Sequence, residues 1–115
     1  MEAVLGKRNK VNIFGNDFST KDGTGVRDYI HVSDLASAHL DTLDYIKRVN
    51  KNLIINLGTG YGHSVLDIVE KVQEVSNIKI KYTFEKRRSG DSGIVMANSL
   101  LAKKLISWEP KYSDI

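Results

Sequence analysis

The chain has 115 residues, with 17 Lys and Arg against 14 Asp and Glu, and its formal net charge is +3. It contains no cysteine, which excludes a disulfide scaffold, a zinc ribbon and a thiol nucleophile. No apolar run approaches the roughly 18 residues of a transmembrane helix, and the acidic residues are interspersed among the basic ones. We therefore expect one cytoplasmic domain, 1–115, that binds neither membrane nor nucleic acid.

The first predicted elements are two strands joined by a loop. Residues 11–14 alternate apolar and polar side chains, which is typical of a short strand. Residues 15–25 are rich in Gly, Asn, Asp, Ser and Thr and predict the loop. Residues 26–32 predict the second strand, and its alternation would place Arg27 and Tyr29 on one face.

A helix and a third strand follow. Ser33 and Asp34 carry side-chain oxygens that accept hydrogen bonds from the first turn, so we expect the helix to begin there. Lys47 and Arg48 favour its C-terminal end, where cations stabilise the helix dipole. The apolar run at residues 53–57 then predicts a buried strand.

The last third of the chain continues the alternation of helix and strand. Residues 65–75 carry an apolar stripe at helical spacing, and Ser64 with Asp67 has the spacing of a capping box. The remaining predicted elements are a strand at 78–84, a loop at 86–93 and a helix at about 99–106. The pattern as a whole predicts a small mixed α/β fold with about four strands and three helices.

Three motifs resemble catalytic or cofactor sites without meeting their requirements. The glycine-rich turn at residues 58–62 reads G-x-G-x-G, with His instead of Gly at position 63, and it lacks the later acidic residue of a dinucleotide-binding loop. Tyr82 and Lys86 have the spacing of a catalytic Tyr-Lys pair, but on a predicted strand they stand too far apart to touch. The histidines have no metal-ligand spacing, so we predict no metal site.

Two features do point to an anionic ligand. Arg27 lies beside Tyr29 after a polar loop, and Arg88 precedes Ser-Gly-Asp91. Two arginines suit a diphosphate, and a carboxylate suits the hydroxyls of a ribose. Each feature alone also fits an ordinary surface arginine or turn, so the residues leave that alternative open.

At these residues the chain closely resembles the UDP-glucose 4-epimerase family of extended short-chain dehydrogenases/reductases. The matching segments are IFGND at 13–17, TKDGTGVRDYIHV at 20–32, NLGTG at 56–60, SVL at 64–66, RRSGD at 87–91 and WEPKY at 108–112. The resemblance covers essentially the whole chain and corresponds to the C-terminal, substrate-binding part of the family. The chain would then be truncated at both ends relative to that family, lacking the Rossmann half, and would be an isolated substrate domain.

The resemblance implies roles on the UDP side of the substrate. Arg27 and Arg88 match the family's diphosphate and ribose contacts, Asp91 matches the ribose partner, and Tyr29 matches a neighbour of the nucleotide. Asn12 and Phe14 would lie on the strand next to the uracil. In the family a bound NAD takes a hydride from C4 of the sugar and returns it to the other face, with a tyrosine as base. The match includes no catalytic residue, and we expect no NAD to bind this chain alone.

The departures from the family concern the loop and the sugar. Phe18-Ser19 replaces the family's usual Tyr-Pro, so the loop loses a rigid φ. Val95 borders the sugar where relatives often carry a bulkier side chain, which leaves room for an N-acetyl group. Asn98 replaces a usual Asp and can still cap a helix.

The resemblance therefore implies the UDP-binding part of an NAD-dependent isomerase of galactose metabolism, and we expect this part to be inactive by itself. The expected ligands are UDP-glucose and UDP-galactose. Two alternatives stay open: a binding module completed by a partner chain that contains a Rossmann domain, and a basic nucleic-acid-binding domain. A substrate domain without its Rossmann half should also expose an apolar patch and an unpaired strand edge, both of which favour aggregation.

Overall fold

The computed structural model describes residues 2–114. In this part of the chain there are three helices and five short strands. The helices are α1 (Val32–Val49), α2 (Val65–Ser76) and α3 (Leu100–Ile106). The strands are β1 (Val11–Phe14), β2 (Val26–Arg27), β3 (His63–Ser64), β4 (Tyr82–Glu85) and β5 (Ile94–Val95). The predicted mixed α/β class is confirmed.

The chain divides into two compact units. Among the described residues, unit 1 comprises 2–27 and 63–95, and unit 2 comprises 28–62 and 96–114. Each unit is therefore assembled from segments that are distant in sequence. No helix between residues 2 and 114 has both the length and the apolar character that a bilayer span requires.

Unit 1 contains both sheets. Strands β1 and β4 pair in parallel, with Val11 opposite Tyr82 and Phe14 opposite Glu85. The second sheet has the order β3-β2-β5, in which β2 is antiparallel to β3 and parallel to β5. Two parallel strands cannot be joined by a tight turn and need a long crossover connection. The connection from β1 to β4 includes helix α2.

The core of unit 1 joins helix α2 to the β1–β4 pair. Ile13, Val69 and Ile80 are buried together, and Val11 and Val72 are among the partly buried side chains packed around them. The predicted capping box is confirmed: the Ser64 hydroxyl accepts the N–H of Asp67, and the Asp67 carboxylate accepts the N–H of Ser64. The apolar stripe and the capping box thus both indicate that α2 begins directly after Ser64.

Unit 2 has its own core around Ala38, Ala102 and Trp108, all of them buried. The side chain of Asp34 is 1% exposed, and its carboxylate accepts the backbone N–H groups of Lys111 and Tyr112. Burial raises the pKa of Asp34, but these hydrogen bonds and that of Ser113 outweigh it, so the pKa lies below its ordinary value. Asp34 therefore fastens the 111–113 segment to helix α1.

The start of helix α1 differs from the prediction. The helix begins at Val32, and the N-cap is His31, whose Nδ1 accepts the N–H of Ser33 at 3.1 Å. Neither Ser33 nor Asp34 caps the helix, because Asp34 lies inside the first turn with its carboxylate turned toward the C-terminal segment. The predicted C-terminal lysine and arginine do lie in the last turn.

Three of the predicted strands differ from the structure. The strand expected at 26–32 ends at Arg27, because the next residue directs its carboxylate to other backbone groups instead of continuing a ladder. The segment 53–57 is not a strand in the part of the chain that the structure describes. Its side chains still alternate between half-buried and exposed, and Ile54 is 92% exposed. The strand expected at 78–84 begins only at Tyr82.

Candidate functional site

The loop at residues 86–93 brings three of the predicted site residues together. Arg88 Nε donates to the Asp91 carboxylate at 2.8 Å, and the Arg88 guanidinium lies 5.2 Å from the centre of the Phe14 ring. The side chain of Arg88 is 64% exposed and that of Asp91 is 22% exposed. A cation, a carboxylate and an aromatic face are therefore adjacent on one accessible surface of unit 1.

Arg27 lies on the central strand of the small sheet. Its Nη1 donates to the Val26 carbonyl at 2.8 Å and to the Gly93 carbonyl at 3.4 Å. Its partner across the parallel pair is Val95, which is 51% exposed. The bond to Gly93 attaches Arg27 to the end of the loop that carries Arg88 and Asp91.

Asn12 lies on strand β1, two residues before Phe14, so both side chains point to the same face of the strand. Both are exposed, and Asn12 Oδ1 accepts the Thr83 hydroxyl at 3.2 Å. This face of β1 therefore offers an amide and an aromatic ring along one line. That is the composition expected of a surface that meets a planar base.

Tyr29 is the remaining predicted site residue. The structure assigns it to unit 2, where it is half-buried, and strand β2 ends at Arg27. The predicted strand therefore does not extend to Tyr29, and the role of Tyr29 beside the nucleotide stays a prediction. The regular alternation on which the strand prediction was based stops when Asp28 leaves the ladder.

Asp28 is a structural residue that the sequence patterns did not identify. Its carboxylate accepts the N–H groups of Thr59, Gly60 and Ala97 and the hydroxyl of Thr59, at 2.6–3.3 Å. Burial raises the pKa of Asp28, but these four donors outweigh it and hold the pKa below its ordinary value. Only the adjacency of an acidic residue to a predicted site arginine could have drawn attention to it.

The hydrogen bonds to Asp28 also determine whether the glycine-rich turn at residues 58–62 could bind a dinucleotide. A dinucleotide-binding loop offers free backbone N–H groups to a pyrophosphate. Here the N–H groups of Thr59 and Gly60 are donated to Asp28, and a Cβ on Gly58 would lie 2.4 Å from Asp28 Oδ2. The turn therefore does not fit a dinucleotide, and Gly58 is required by the close approach of a carboxylate.

Arg87 is a second residue that the sequence analysis missed. Its Nη2 donates to the Asp17 carbonyl at 2.8 Å, and its guanidinium lies 4.0 Å from the centre of the Phe18 ring. Tyr82 lies on strand β4 and Lys86 just beyond its end, so they do not form the helical pair of a dehydrogenase. Among residues 2–114, no group of three His, Asp or Glu side chains could hold a metal ion.

The arrangement in unit 1 has the chemistry of an anion-binding surface. Arg27 and Arg88 supply guanidinium groups that can each meet two phosphate oxygens, and Asp91 supplies an acceptor for hydroxyl groups. Part of each guanidinium is already committed to protein oxygens, which fixes its orientation before any ligand arrives.

Comparison with known proteins decides the family. The sequence profile of the family described as GDP-mannose 4,6 dehydratase matches residues 1–114. The chain belongs to this family. Within it, the chain is similar to the UDP-glucose 4-epimerase of Lactobacillus helveticus, with 40% identity over 115 residues. That alignment covers 100% of this chain and 35% of the relative.

Two solved structures show the same likeness in three dimensions. A UDP-glucose 4-epimerase from Stenotrophomonas maltophila, with bound NAD and formylated UDP-arabinopyranose, has a TM-score of 0.91 and 37% identity, covering 96% of this chain and 33% of that one. The UDP-Glc/GlcNAc 4-epimerase from Campylobacter jejuni has a TM-score of 0.84 and 44% identity, covering 98% and 34%. The chain thus spans about a third of the length of these relatives, and the predicted resemblance to epimerases is confirmed.

Proposed function

We propose that this chain binds the UDP part of a UDP-sugar and supplies the substrate side of a UDP-sugar 4-epimerase. The observation that carries the proposal is the juxtaposition of Arg88, Asp91 and Phe14 on one exposed surface. Arg27, on the central strand, is bonded to the end of the same loop. A diphosphate would meet the two guanidinium groups, a ribose would meet Asp91, and a uracil would lie along Asn12 and Phe14.

The sugar would extend from the diphosphate toward Val95, which stands opposite Arg27 in the sheet. A valine leaves more room there than a larger side chain would. The similarity to an enzyme described as acting on UDP-Glc and UDP-GlcNAc agrees with a pocket open to N-acetyl sugars. We therefore expect UDP-glucose, UDP-galactose and their N-acetylated forms among the ligands.

Epimerisation itself would need groups that this site does not contain. The epimerase from Stenotrophomonas maltophila has bound NAD, whereas the Gly58–Gly62 turn of this chain does not fit a dinucleotide because the N–H groups of Thr59 and Gly60 are bonded to the Asp28 carboxylate. The described site also lacks a tyrosine paired with a lysine on a helix. We therefore expect the chain to bind UDP-sugars without converting them, unless a Rossmann-containing chain completes it.

Titration with UDP-galactose, followed by amide NMR of the ¹⁵N-labelled chain, tests this function. We expect shifts confined to the residues around Arg27, Arg88 and Asp91. The variants Arg27→Ala and Arg88→Ala should abolish them. Lys86→Ala is the matched control, because Lys86 is an exposed cation in the same loop with no bonded partner among residues 2–114. Equal binding by all four proteins would refute the proposal, and salt-sensitive binding of RNA in place of UDP would favour a nucleic-acid-binding domain.

A further inference from the structure

We infer that Arg87 is the positioning residue of the UDP site and that it holds Arg88 and Asp91 in register with the 15–25 loop. The inference rests on the proposed function. Arg87 Nε donates to the Asp17 carboxylate at 3.1 Å, and its Nη2 donates to the Asp17 backbone carbonyl at 2.8 Å. The Arg87 guanidinium thus donates hydrogen bonds to both the side chain and the backbone carbonyl of Asp17, a residue 70 positions earlier in the chain.

The Phe18 ring is the second group that holds Arg87. We call the contacts of Arg87 with Asp17 and Phe18 the Arg87 clamp. The Phe18 ring is 7% exposed and lies 4.0 Å from the Arg87 guanidinium, a distance at which a cation is attracted to an aromatic face. The ring occupies a space that two glycines leave open. A Cβ on Gly15 would lie 2.5 Å from the ring, and one on Gly93 would lie 3.3 Å from it. Phe18 is therefore enclosed by both loops, and Arg87 covers it.

The rest of the 86–93 loop has few anchors. Within the described chain, its other hydrogen bonds to distant segments all end on the Gly93 carbonyl, from Val26 N–H at 2.7 Å and from Arg27 at 3.4 Å. Arg88 and Asp91 hydrogen-bond only to each other, three residues apart, and the Arg88 guanidinium also lies 5.2 Å from the centre of the Phe14 ring. The position of this pair thus depends on an anchor at each end of the loop, and Arg87 is the anchor at the beginning.

The geometry distinguishes arginine from lysine at position 87. A lysine keeps the charge, but it has no planar fork to donate to two oxygens of Asp17 while stacking on Phe18. Arg87→Lys should therefore release the start of the loop without changing the net charge of the site. Any loss of UDP affinity in this variant would then report position and not long-range attraction.

The test compares UDP affinity by calorimetry in wild type, Arg87→Lys and Lys86→Ala. We expect Arg87→Lys to weaken UDP binding about tenfold, the effect of losing roughly one charged hydrogen bond, and Lys86→Ala to leave it unchanged. A spectroscopic readout separates positioning from stability. The Arg88 Nε–H resonance should shift with UDP in wild type and lose that shift in Arg87→Lys, while the Arg27 signals still respond.

Each outcome decides between the two proposals. Unchanged affinity in Arg87→Lys, with normal binding by wild type, overturns the positioning role and leaves the UDP site standing. Absence of binding by wild type overturns the UDP site and the positioning role with it. If Arg87→Lys fails to give a dispersed amide spectrum, Asp17→Asn replaces it, since it weakens the same clamp while keeping Arg87. An intermediate loss of affinity in Asp17→Asn supports the inference, and no loss overturns it.

Discussion

The carboxylate of Asp28 accepts both the backbone N–H and the hydroxyl of Thr59, at 2.8 and 2.6 Å. Together with the N–H groups of Gly60 and Ala97, these donors make Asp28 the fixed point to which two loops of unit 2 are attached. The first prediction concerns this network. Asp28→Asn keeps the size of the side chain but presents an NH₂ group to backbone donors. We expect it to lower the free energy of unfolding by about 2 kcal/mol.

Urea denaturation of Asp28→Asn checks this, and Asp41→Asn is the matched control. Asp41 is an exposed residue of helix α1 with no bonded partner among residues 2–114. A control that loses as much stability as Asp28→Asn would mean that charge alone, and not the network, is responsible.

The second prediction concerns the stability of the folded chain at low pH. Burial raises the pKa values of Asp22, Asp28 and Asp34, but hydrogen bonds outweigh it and lower all three below their ordinary value of 3.8. A lowered pKa in the folded state means that the unfolded chain binds protons first. The stability that these carboxylates contribute is therefore complete above their ordinary value and is lost as the pH falls below it.

Thermal melts between pH 7 and pH 2.5 measure this dependence. We expect the contribution of these carboxylates to stay constant down to roughly pH 4 and to fall steeply below it. Stability should decrease less steeply with falling pH in Asp28→Asn, because this variant has one fewer carboxylate to protonate. A loss of stability that is complete above pH 5 would contradict the prediction, since the carboxylates remain ionised there.

The third prediction is a stabilising change at the end of helix α3. Ser107 has φ +54°, in the left-handed region, and its side chain makes no hydrogen bond within the described residues. A residue with a Cβ is strained there, whereas glycine is not. Ser107→Gly should raise the free energy of unfolding by about 0.5 kcal/mol, the strain relieved less the extra entropy of the unfolded chain.

Urea denaturation again measures the effect, with Asn77→Gly for comparison. Asn77 ends helix α2 with φ +53°, and asparagine tolerates this conformation better than serine does. We therefore expect a smaller gain from Asn77→Gly. A larger gain from Asn77→Gly than from Ser107→Gly would reject the explanation by backbone strain.

The fourth prediction concerns association of the chain. The segment 53–57 alternates its side chains like a strand but pairs with no strand among residues 2–114, and Ile54 is 92% exposed. An extended apolar edge of this kind is a template for pairing with another chain. Ile54→Lys should slow aggregation, because a charge on such an edge opposes pairing.

Light scattering at several concentrations would follow aggregation of Ile54→Lys beside Asn56→Lys. Asn56 points to the same side of the segment and is also exposed, so it receives the same charge without removing the apolar side chain. If both variants slow aggregation equally, charge alone explains the effect. If neither does, the segment is not where the chains meet.

Local patterns predicted the parts of this fold that depend on neighbouring residues. Helix α2 begins where Ser64 and Asp67 placed its cap, and strand β1 begins and ends as its alternation indicated. Arg88 and Asp91 are three residues apart in one loop, so their ion pair could be expected from their proximity in sequence. These features require no knowledge of the rest of the chain.

The errors arise where distant residues compete for the same group. The local pattern predicts that Asp28 is a strand residue, but in the structure its carboxylate accepts hydrogen bonds from Thr59 and Ala97, which are distant in sequence. Asp34 reads as a helix cap but instead binds backbone groups 77 and 78 residues away. The Arg87–Asp17 contact spans 70 residues and leaves no periodic signal. Tertiary hydrogen bonds to carboxylates are thus the main information that the patterns did not carry.

The parallel pairing of Val11–Phe14 with Tyr82–Glu85 also bears on how the protein is made. During synthesis the first of these strands leaves the ribosome long before its partner exists, and all of 28–62, which belongs to the other unit, is translated in between. Unit 1 therefore cannot fold progressively from its N-terminus. Strand β1 must remain unpaired until residue 85 has emerged, and pairing across such a sequence separation is slow. A chaperone that shields this strand during translation would increase the yield of folded protein more than one added afterwards.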